Sequence, residues 1–235
     1  MQKHVLLNVS DGTTMQAYVS TPDSTGSFPG IILFQEAFGV NGHIRDVADR
    51  FAKEGYAVIA PELFHHTAPV GFEAPYNDFS VVAPHFQALT YDGLAADAKA
   101  CYDWLVQQAN VQHDKIGAIG FCLGGRVAFI SNATLPLAAA VSFYGGGLDA
   151  IADKAKDLHS PHLFFWGGLD THITPDKVDT VIKAVHTAGK EYINVIISYA
   201  NHAFFCDARP SYNAQAAKEA WALTLAFFKN KFENK

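Results

Sequence analysis

The 235-residue chain has a formal net charge of −6 and a sequence pI near 6.0. Its only arginines are Arg45, Arg50, Arg126 and Arg209, which disfavours nucleic acid or an anionic membrane as a partner and favours a small molecule. No apolar run reaches the roughly 20 residues of a membrane span, the N-terminus does not resemble a signal peptide, and three cysteines are too few for a disulfide framework. We therefore expect a single cytoplasmic domain over 1–235, a monomer or weak homodimer, with free thiols.

The first half of the chain alternates apolar strands with helical patterns. Apolar segments on both sides of Asp11-Gly12 predict an N-terminal antiparallel hairpin. The continuous apolar run at 30–35 is typical of a strand buried on both faces of a parallel sheet. A helix over 41–54 and a core strand over 57–60 follow. Residues 61–84 contain four prolines and no clean period, so we predict a long irregular loop, a candidate lid or binding segment.

The second half repeats the alternation of helix and strand. Helices are predicted at 91–108, 123–131, 175–188 and 211–229, and strands at 116–121, 138–144, 162–166 and 194–199. The pattern predicts an α/β fold with an open, mostly parallel central sheet and helices on both faces. In such sheets the ligand site lies at the carboxyl ends of the strands.

The stretch Gly120-Phe121-Cys122-Leu123-Gly124-Gly125 has the pattern of a nucleophile elbow in which cysteine replaces serine. Its glycines allow a sharp turn from strand to helix, and the amide of Leu123 lies in the first turn of that helix, where an anion is favoured. One turn can thus supply a nucleophile and half of an oxyanion hole. The alternative is that Cys122 is a buried structural thiol.

Four chemically capable residues directly follow predicted strands: Glu36, Cys122, Asp170 and His202. The carboxyl ends of parallel strands share one edge of the sheet, so these side chains can meet. The chain order of nucleophile, acid and histidine is the order of the α/β-hydrolase fold. Each residue also has a plainer interpretation: Asp170 as a turn or cap residue, Glu36 as a solvated carboxylate, and His202 as one of eleven histidines without a role.

With these motifs, the chain resembles the dienelactone hydrolase family over essentially its whole length. The resemblance rests on five segments: Gln35-Glu36-Ala37-Phe38-Gly39, the elbow, Tyr144-Gly145, Gly167 to Pro175, and Ala200-Asn201-His202-Ala203-Phe204. It implies that Cys122 is the nucleophile, His202 the general acid and base, and Asp170 its orienting carboxylate. It further implies that Glu36 controls the thiol and that the amides of Ala37 and Leu123 bind the oxyanion.

These assignments predict a cysteine-dependent hydrolase that opens a lactone or small ester through a thioester. A thiolate leaves more readily than most amines, so esters, and enol lactones above all, suit it better than amides. One alternative is a general carboxylesterase for neutral esters. Another is a thiol-based redox sensor in which Cys122 is oxidised and paired with Cys206.

The chain departs from the family at its arginines. By resemblance, family members hold a substrate carboxylate with one arginine before the elbow and another four residues past the histidine; here Cys206 occupies the latter position. Arg209 is a candidate replacement, or a structural ion-pair partner. The substrate would then be less acidic, and a more apolar pocket would be lined by Phe38, Tyr144, Phe204 and the loop residues Phe64, Phe72 and Tyr76.

Other motifs in the chain are weak. His65-His66 lacks further ligands at metal-binding spacing, and Gly145-Gly146-Gly147 lacks the spacing for dinucleotide binding. We predict no metal and no cofactor.

Overall fold

The structure, a computed structural model, describes residues 3–233. These residues form eight strands: β1 (His4–Asn8), β2 (Thr14–Ser20), β3 (Phe28–Phe34), β4 (Ala57–Pro61), β5 (Val111–Phe121), β6 (Ala139–Phe143), β7 (His162–Gly167) and β8 (Tyr192–Ile197). The helices in the same range are α1 (Gly42–Lys53), α2 (Ala83–Gln87), α3 (Tyr91–Val106), α4 (Leu123–Thr134), α5 (Pro175–Thr187) and α6 (Ala214–Glu233). A 3₁₀ segment, Asp149–Asp157, lies between β6 and β7.

The strands form one sheet in the order β1-β2-β4-β3-β5-β6-β7-β8. β1 pairs antiparallel with β2, as the predicted hairpin requires, and β2 pairs antiparallel with β4. All remaining pairs are parallel. The predicted α/β architecture with a mostly parallel sheet is therefore confirmed.

Alternate side chains of β3 enter two separate hydrophobic clusters, which explains its continuous apolar sequence. Ile31 and Leu33 pack in the cluster that contains apolar residues of α1 and α6. Ile32 and Phe34 pack in the cluster that contains apolar residues of α3 and α4. The sheet is thus covered on both faces, and access to its functional groups is from the strand ends.

The structure corrects several predicted boundaries. β8 lies two residues earlier than predicted, because Tyr192 pairs with His162 and the chain turns after Ile197, whose carbonyl accepts from Gly168 N at 2.8 Å. α6 begins at Ala214, since the Asn213 side chain accepts from Ala216 N at 3.0 Å. The 3₁₀ segment and the single-turn α2 were not predicted; both are too short to show a helical period.

The loop predicted over 61–84 is irregular until α2 begins at Ala83. It packs onto the segment after β3, where Ala74 N donates to Phe38 O at 3.2 Å. None of the helices within 3–233 is long and apolar enough to cross a membrane.

Candidate active site

The turn between β5 and α4 holds Cys122 in an unusual backbone conformation, with φ 54° and ψ −110°. A positive φ in a residue other than glycine costs about 1–3 kcal/mol and persists only where the surroundings impose it. Here the Cys122 N–H donates to Phe143 O at 3.0 Å, and its carbonyl accepts from Gly146 N at 3.3 Å. The end of β6 therefore holds the turn in place.

Two glycines of the elbow are required by close packing. A Cβ on Gly120 would lie 2.0 Å from the Gly124 carbonyl oxygen, and a Cβ on Gly124 would lie 2.2 Å from the Phe34 carbonyl oxygen. Neither position can accept a side chain without backbone movement. The close approach brings the first turn of α4 against the end of β3, next to Glu36 and Ala37.

The amides predicted to bind the oxyanion belong to the two segments joined by this contact. Across residues 3–233, neither the Ala37 N–H nor the Leu123 N–H has a hydrogen-bond acceptor. Leu123 is the first residue of α4, where unpaired N–H groups and the helix dipole favour negative charge. Both amides are therefore available to an oxyanion.

Asp170 and His202, on the loops after β7 and β8, form a hydrogen-bonded pair. His202 Nδ1 lies 2.6 Å from Asp170 Oδ2. The other carboxylate oxygen, Oδ1, accepts from the backbone N–H groups of His172 at 2.8 Å and Ile173 at 3.1 Å. Asp170 is thus a turn residue through one oxygen and the hydrogen-bond partner of His202 through the other. Its role as the orienting carboxylate of a catalytic histidine stays a prediction.

Cys122 and Asp170 together determine the protonation of His202. Burial lowers the pKa of His202, but the hydrogen bonds with Asp170 and Cys122, together with their negative charges, outweigh burial and raise it to about 10. Burial raises the pKa of Asp170. The hydrogen bonds from His202 and from the two backbone amides lower the pKa by more than burial raises it, so the net shift is downward. At neutral pH the pair is an imidazolium and a carboxylate.

Glu36 is buried and faces a cation. Its side chain is 1% exposed, and Oε1 lies 3.4 Å from Nη1 of Arg209. Oε2 has no hydrogen-bond partner in the described part of the chain. The guanidinium of Arg209 lies 5.4 Å from the ring centre of Phe38 and 5.6 Å from that of Tyr76. Arg209 is therefore the ion-pair partner of Glu36 in this state.

The loop after β4 contributes Tyr76, whose contacts the sequence analysis did not predict. The Tyr76 hydroxyl accepts from Asn41 Nδ2 at 2.8 Å and from Cys206 Sγ at 3.3 Å. Burial, followed by the charge of Glu36, raises the pKa of Cys206 to about 12. Cys206 is thus a neutral hydrogen-bond donor, which weighs against its role as the reactive partner in a redox sensor. No local sequence signal could have paired Tyr76 with Cys206, 130 residues away.

The three predicted pocket residues are buried, Tyr144 and Phe204 in one hydrophobic cluster and Phe38 in the other. The ring centre of Tyr144 is 5.1 Å from that of His202 and 5.3 Å from that of Phe204. Phe38 packs edge-on against Tyr76 at 4.8 Å. Their role in substrate binding stays a prediction.

The adjacent histidines of the long loop have different acidic partners. His65 Nε2 lies 2.9 Å from Asp97 Oδ1, and His66 Nε2 lies 2.7 Å from Asp11 Oδ2. Within 3–233, no group of three or more histidine, cysteine or acidic side chains is arranged to hold a metal ion.

Comparison with known proteins identifies the family. The model of the "Dienelactone hydrolase family" matches residues 15–232. The chain belongs to this family. It is therefore a hydrolase of ester or lactone bonds with the α/β-hydrolase fold, and its substrate is a small-molecule ester or lactone.

Individual relatives align with this chain over nearly its full length. A "Putative carboxymethylenebutenolidase" of Synechocystis sp. is 33% identical over 229 residues, covering 92% of each chain. A protein of the same name in Escherichia coli strain K12 is 35% identical over 234 residues, covering 94% of this chain and 84% of its own. The crystal structure of a "Putative Dienelactone Hydrolase" from Klebsiella pneumoniae has a TM-score of 0.86 at 32% identity, covering 96% of this chain and 98% of that one.

Proposed function

We propose that this dienelactone hydrolase family member uses Cys122 as its nucleophile and opens a lactone or small ester through a thioester intermediate. The observation that carries the proposal is the hydrogen-bonded pair of Asp170 and His202, together with the influence of the elbow cysteine Cys122 on the pKa of that histidine. The free amides of Ala37 and Leu123 support it, since they can bind the oxyanion of a tetrahedral intermediate.

Acylation begins when the Cys122 thiolate attacks the carbonyl carbon of the substrate. A C–S bond forms, and the carbonyl electron pair moves to the oxygen, which the two amides stabilise. When the oxyanion collapses, the C–O bond breaks and the leaving oxygen takes a proton from His202. The raised pKa of His202 suits this step, because the imidazolium is the form present at neutral pH. In a lactone the leaving oxygen remains attached to the acyl group.

Deacylation uses the same histidine as a base. Once Cys122 is a thioester, its negative charge is gone, and with it one of the interactions that raise the pKa of His202. The imidazole can then take a proton from water while the water oxygen attacks the thioester carbon. Collapse of the second tetrahedral intermediate breaks the C–S bond and returns the thiolate. The net reaction consumes one water and yields an acid and an alcohol.

Glu36 is proposed to control the thiol. If its carboxylate turns away from Arg209, it can take the proton of Cys122: the S–H bond breaks, an O–H bond forms on Glu36, and the electron pair stays on sulfur. When deacylation returns the thiolate, the O–H bond of Glu36 breaks and the proton goes back to sulfur. The 3.4 Å separation from Arg209 and the unpaired Oε2 support a carboxylate that can move. A substrate carboxylate that binds Arg209 would release Glu36.

The pairing of Arg209 with Glu36 also favours a second candidate substrate class, neutral esters. The positive charge of Arg209 is already balanced by a buried carboxylate, and aromatic rings flank the guanidinium. A substrate carboxylate must therefore compete with Glu36 for Arg209, whereas a neutral ester need not disturb the pair.

The experiment compares kcat/KM for a dienelactone that bears a free carboxylate with that for its methyl ester, in the wild type, Cys122→Ala and Cys101→Ala. Cys101 is buried on α3 and is the matched cysteine control. We expect Cys122→Ala to lose at least about 10³-fold in kcat/KM and Cys101→Ala to retain turnover. Rapid quenching and intact-mass analysis should detect a covalent acyl group on the wild type and none on Cys122→Ala.

The substrate comparison separates the two classes. Faster turnover of the acid supports the mechanism in which a substrate carboxylate binds Arg209 and releases Glu36. Faster turnover of the ester supports neutral esters as the substrate class. Undiminished turnover by Cys122→Ala would contradict the proposed function for either substrate.

A further inference from the structure

Three functional groups follow the ends of neighbouring strands of the sheet. Phe34 is paired with Gly120, and Phe121 with Phe143. Glu36 lies two residues past the end of β3, and Cys122 and Tyr144 lie one residue past the ends of β5 and β6. Because β3 and β6 flank β5 and adjacent strands lie about 4.8 Å apart, Glu36 and Tyr144 follow the two neighbours of the elbow strand.

Tyr144 carries two features that packing alone does not explain. Its φ is 38°, which is rare for a bulky aromatic residue. Its side chain is fully buried, yet its hydroxyl has no hydrogen-bond partner in the range 3–233. Phenylalanine would fill the same space without leaving a buried polar atom unpaired. Strain and an unpaired hydroxyl at one position point to a functional constraint.

Within the described residues, Glu36 also has a buried polar atom without a hydrogen-bond partner. Its Oε2 is a buried acceptor without a donor, while Tyr144 has a buried donor without an acceptor. Burial, followed by the negative charge of Glu36, raises the pKa of Tyr144 well above its usual value. The phenol therefore stays protonated and can only be used as a neutral donor or acceptor. A neutral donor beside a buried carboxylate stabilises the carboxylate wherever the two can meet.

We propose that Tyr144 is a positioning residue for Glu36, whose phenol O–H donates to one carboxylate oxygen when Glu36 leaves Arg209, while the other oxygen takes the Cys122 proton. The proposal deepens the proposed function and rests on it. Tyr144 keeps its own proton throughout; the only bonds exchanged are the S–H bond of Cys122 and the new O–H bond of Glu36. Glu36 thus has two stations, one with Arg209 and one between Tyr144 and Cys122.

The test is a double-mutant cycle of Tyr144→Phe and Glu36→Gln, with Tyr102→Phe on α3 as the matched tyrosine control. We expect Tyr144→Phe to lower kcat/KM by about ten- to a hundredfold in the wild-type background, mostly in kcat, because a hydrogen bond to a charged group is lost during thiol activation. In the Glu36→Gln background the further loss should be less than about threefold, since no base remains to be positioned. The rate of Cys122 alkylation by iodoacetamide should follow the same pattern, and Tyr102→Phe should match the wild type.

The melting temperature separates positioning from structure. The Tyr144 hydroxyl is unpaired in this state, so Tyr144→Phe should melt at the same temperature as the wild type or higher while being less active. Equal losses of kcat/KM in both backgrounds, or no loss in either, would overturn the inference. Full activity of Cys122→Ala would instead overturn the proposed function, whatever Tyr144→Phe does.

Discussion

Two buried polar clusters of the molecule differ in how their hydrogen bonds are satisfied. One is the carboxyl-edge cluster of Glu36, Cys122, Tyr144 and His202. The other, the His162 cluster, comprises His162, Ser142, Asn132 and Ser160. The first contains two buried polar atoms without partners, Glu36 Oε2 and Tyr144 OH, whereas no side-chain atom of the second lacks one in the part of the chain that is described.

The bonds of the His162 cluster assign the protonation of the ring. Ser142 Oγ donates to Gly125 O at 2.6 Å, so it accepts from His162 Nε2 at 2.8 Å. Asn132 Nδ2 donates to His162 Nδ1 at 3.2 Å, and Asn132 Oδ1 accepts from Ser160 N at 3.0 Å. The ring is therefore neutral, and burial lowers its pKa to about 3. His202, which has an acidic partner, is shifted in the opposite direction.

Backbone strain also distinguishes the carboxyl-edge cluster from the His162 cluster. Within 3–233, the residues other than glycine with positive φ are Cys122, Tyr144 and Ala203, and Ala203 directly follows His202. None lies in the His162 cluster. Between these two clusters, the polar groups are satisfied where they only stabilise and are unpaired or strained where we place the chemistry. Three substitutions or conditions test that division.

Asp170→Asn should have the largest effect and should act on activity. The asparagine oxygen can still accept from the His172 and Ile173 amides, so the turn is retained. Its amide group would donate to His202 Nδ1 and favour the wrong tautomer, and we expect kcat to fall by about 10³–10⁴-fold. Steady-state kinetics and thermal melting are the measurements. A loss below tenfold would show that Asp170 does not orient His202.

Ser142→Ala should act on stability instead. It removes the acceptor of His162 Nε2–H, and a buried unpaired donor costs about 1–3 kcal/mol in free energy of unfolding. Ser131→Ala is the matched control, because Ser131 Oγ donates only to the Val127 carbonyl four residues earlier and has no histidine partner. Urea unfolding should show the larger loss for Ser142→Ala, with kcat/KM within about threefold of the wild type. A large loss of activity without a loss of stability would break the comparison.

The pH dependence of His162 gives the third test. Its folded pKa, about 3, lies below the unfolded value of 6.5, so between these pH values the unfolded chain binds one proton more than the folded one. The stabilisation that comes from keeping His162 neutral is therefore fully present above pH 6.5. As the pH falls, the free energy of unfolding decreases by about 1.4 kcal/mol per pH unit on account of this residue. Urea unfolding between pH 6.5 and 4.5 should show a shallower decline for His162→Gln than for the wild type. Parallel curves would mean that His162 is not buried as a neutral ring.

The elbow could be predicted from the sequence because its glycine requirement is local, and its partners could be predicted because each directly follows a strand with a local apolar pattern. Glycines at 120 and 124 are needed for steric reasons that hold for any sharp strand-to-helix turn, and a run such as 30–35 is typical of a strand buried on both faces. Since parallel strands end at one edge, residues after β3, β5, β7 and β8 were expected to meet. The single domain over 1–235 stays a prediction.

Other features depend on how distant segments pack. Arg209 was equally compatible with a substrate carboxylate or an ion pair until the structure placed it beside Glu36, 173 residues away. The start of β8 was misplaced because its register depends on β7, and the bond between Tyr76 and Cys206 has no local signature. Local sterics and hydrophobic period thus determined the strands, the elbow and the candidate triad. The hydrogen bonds and ion pairs that control protonation were decided only by the tertiary structure, because they depend on burial and on partners that no short stretch of sequence contains.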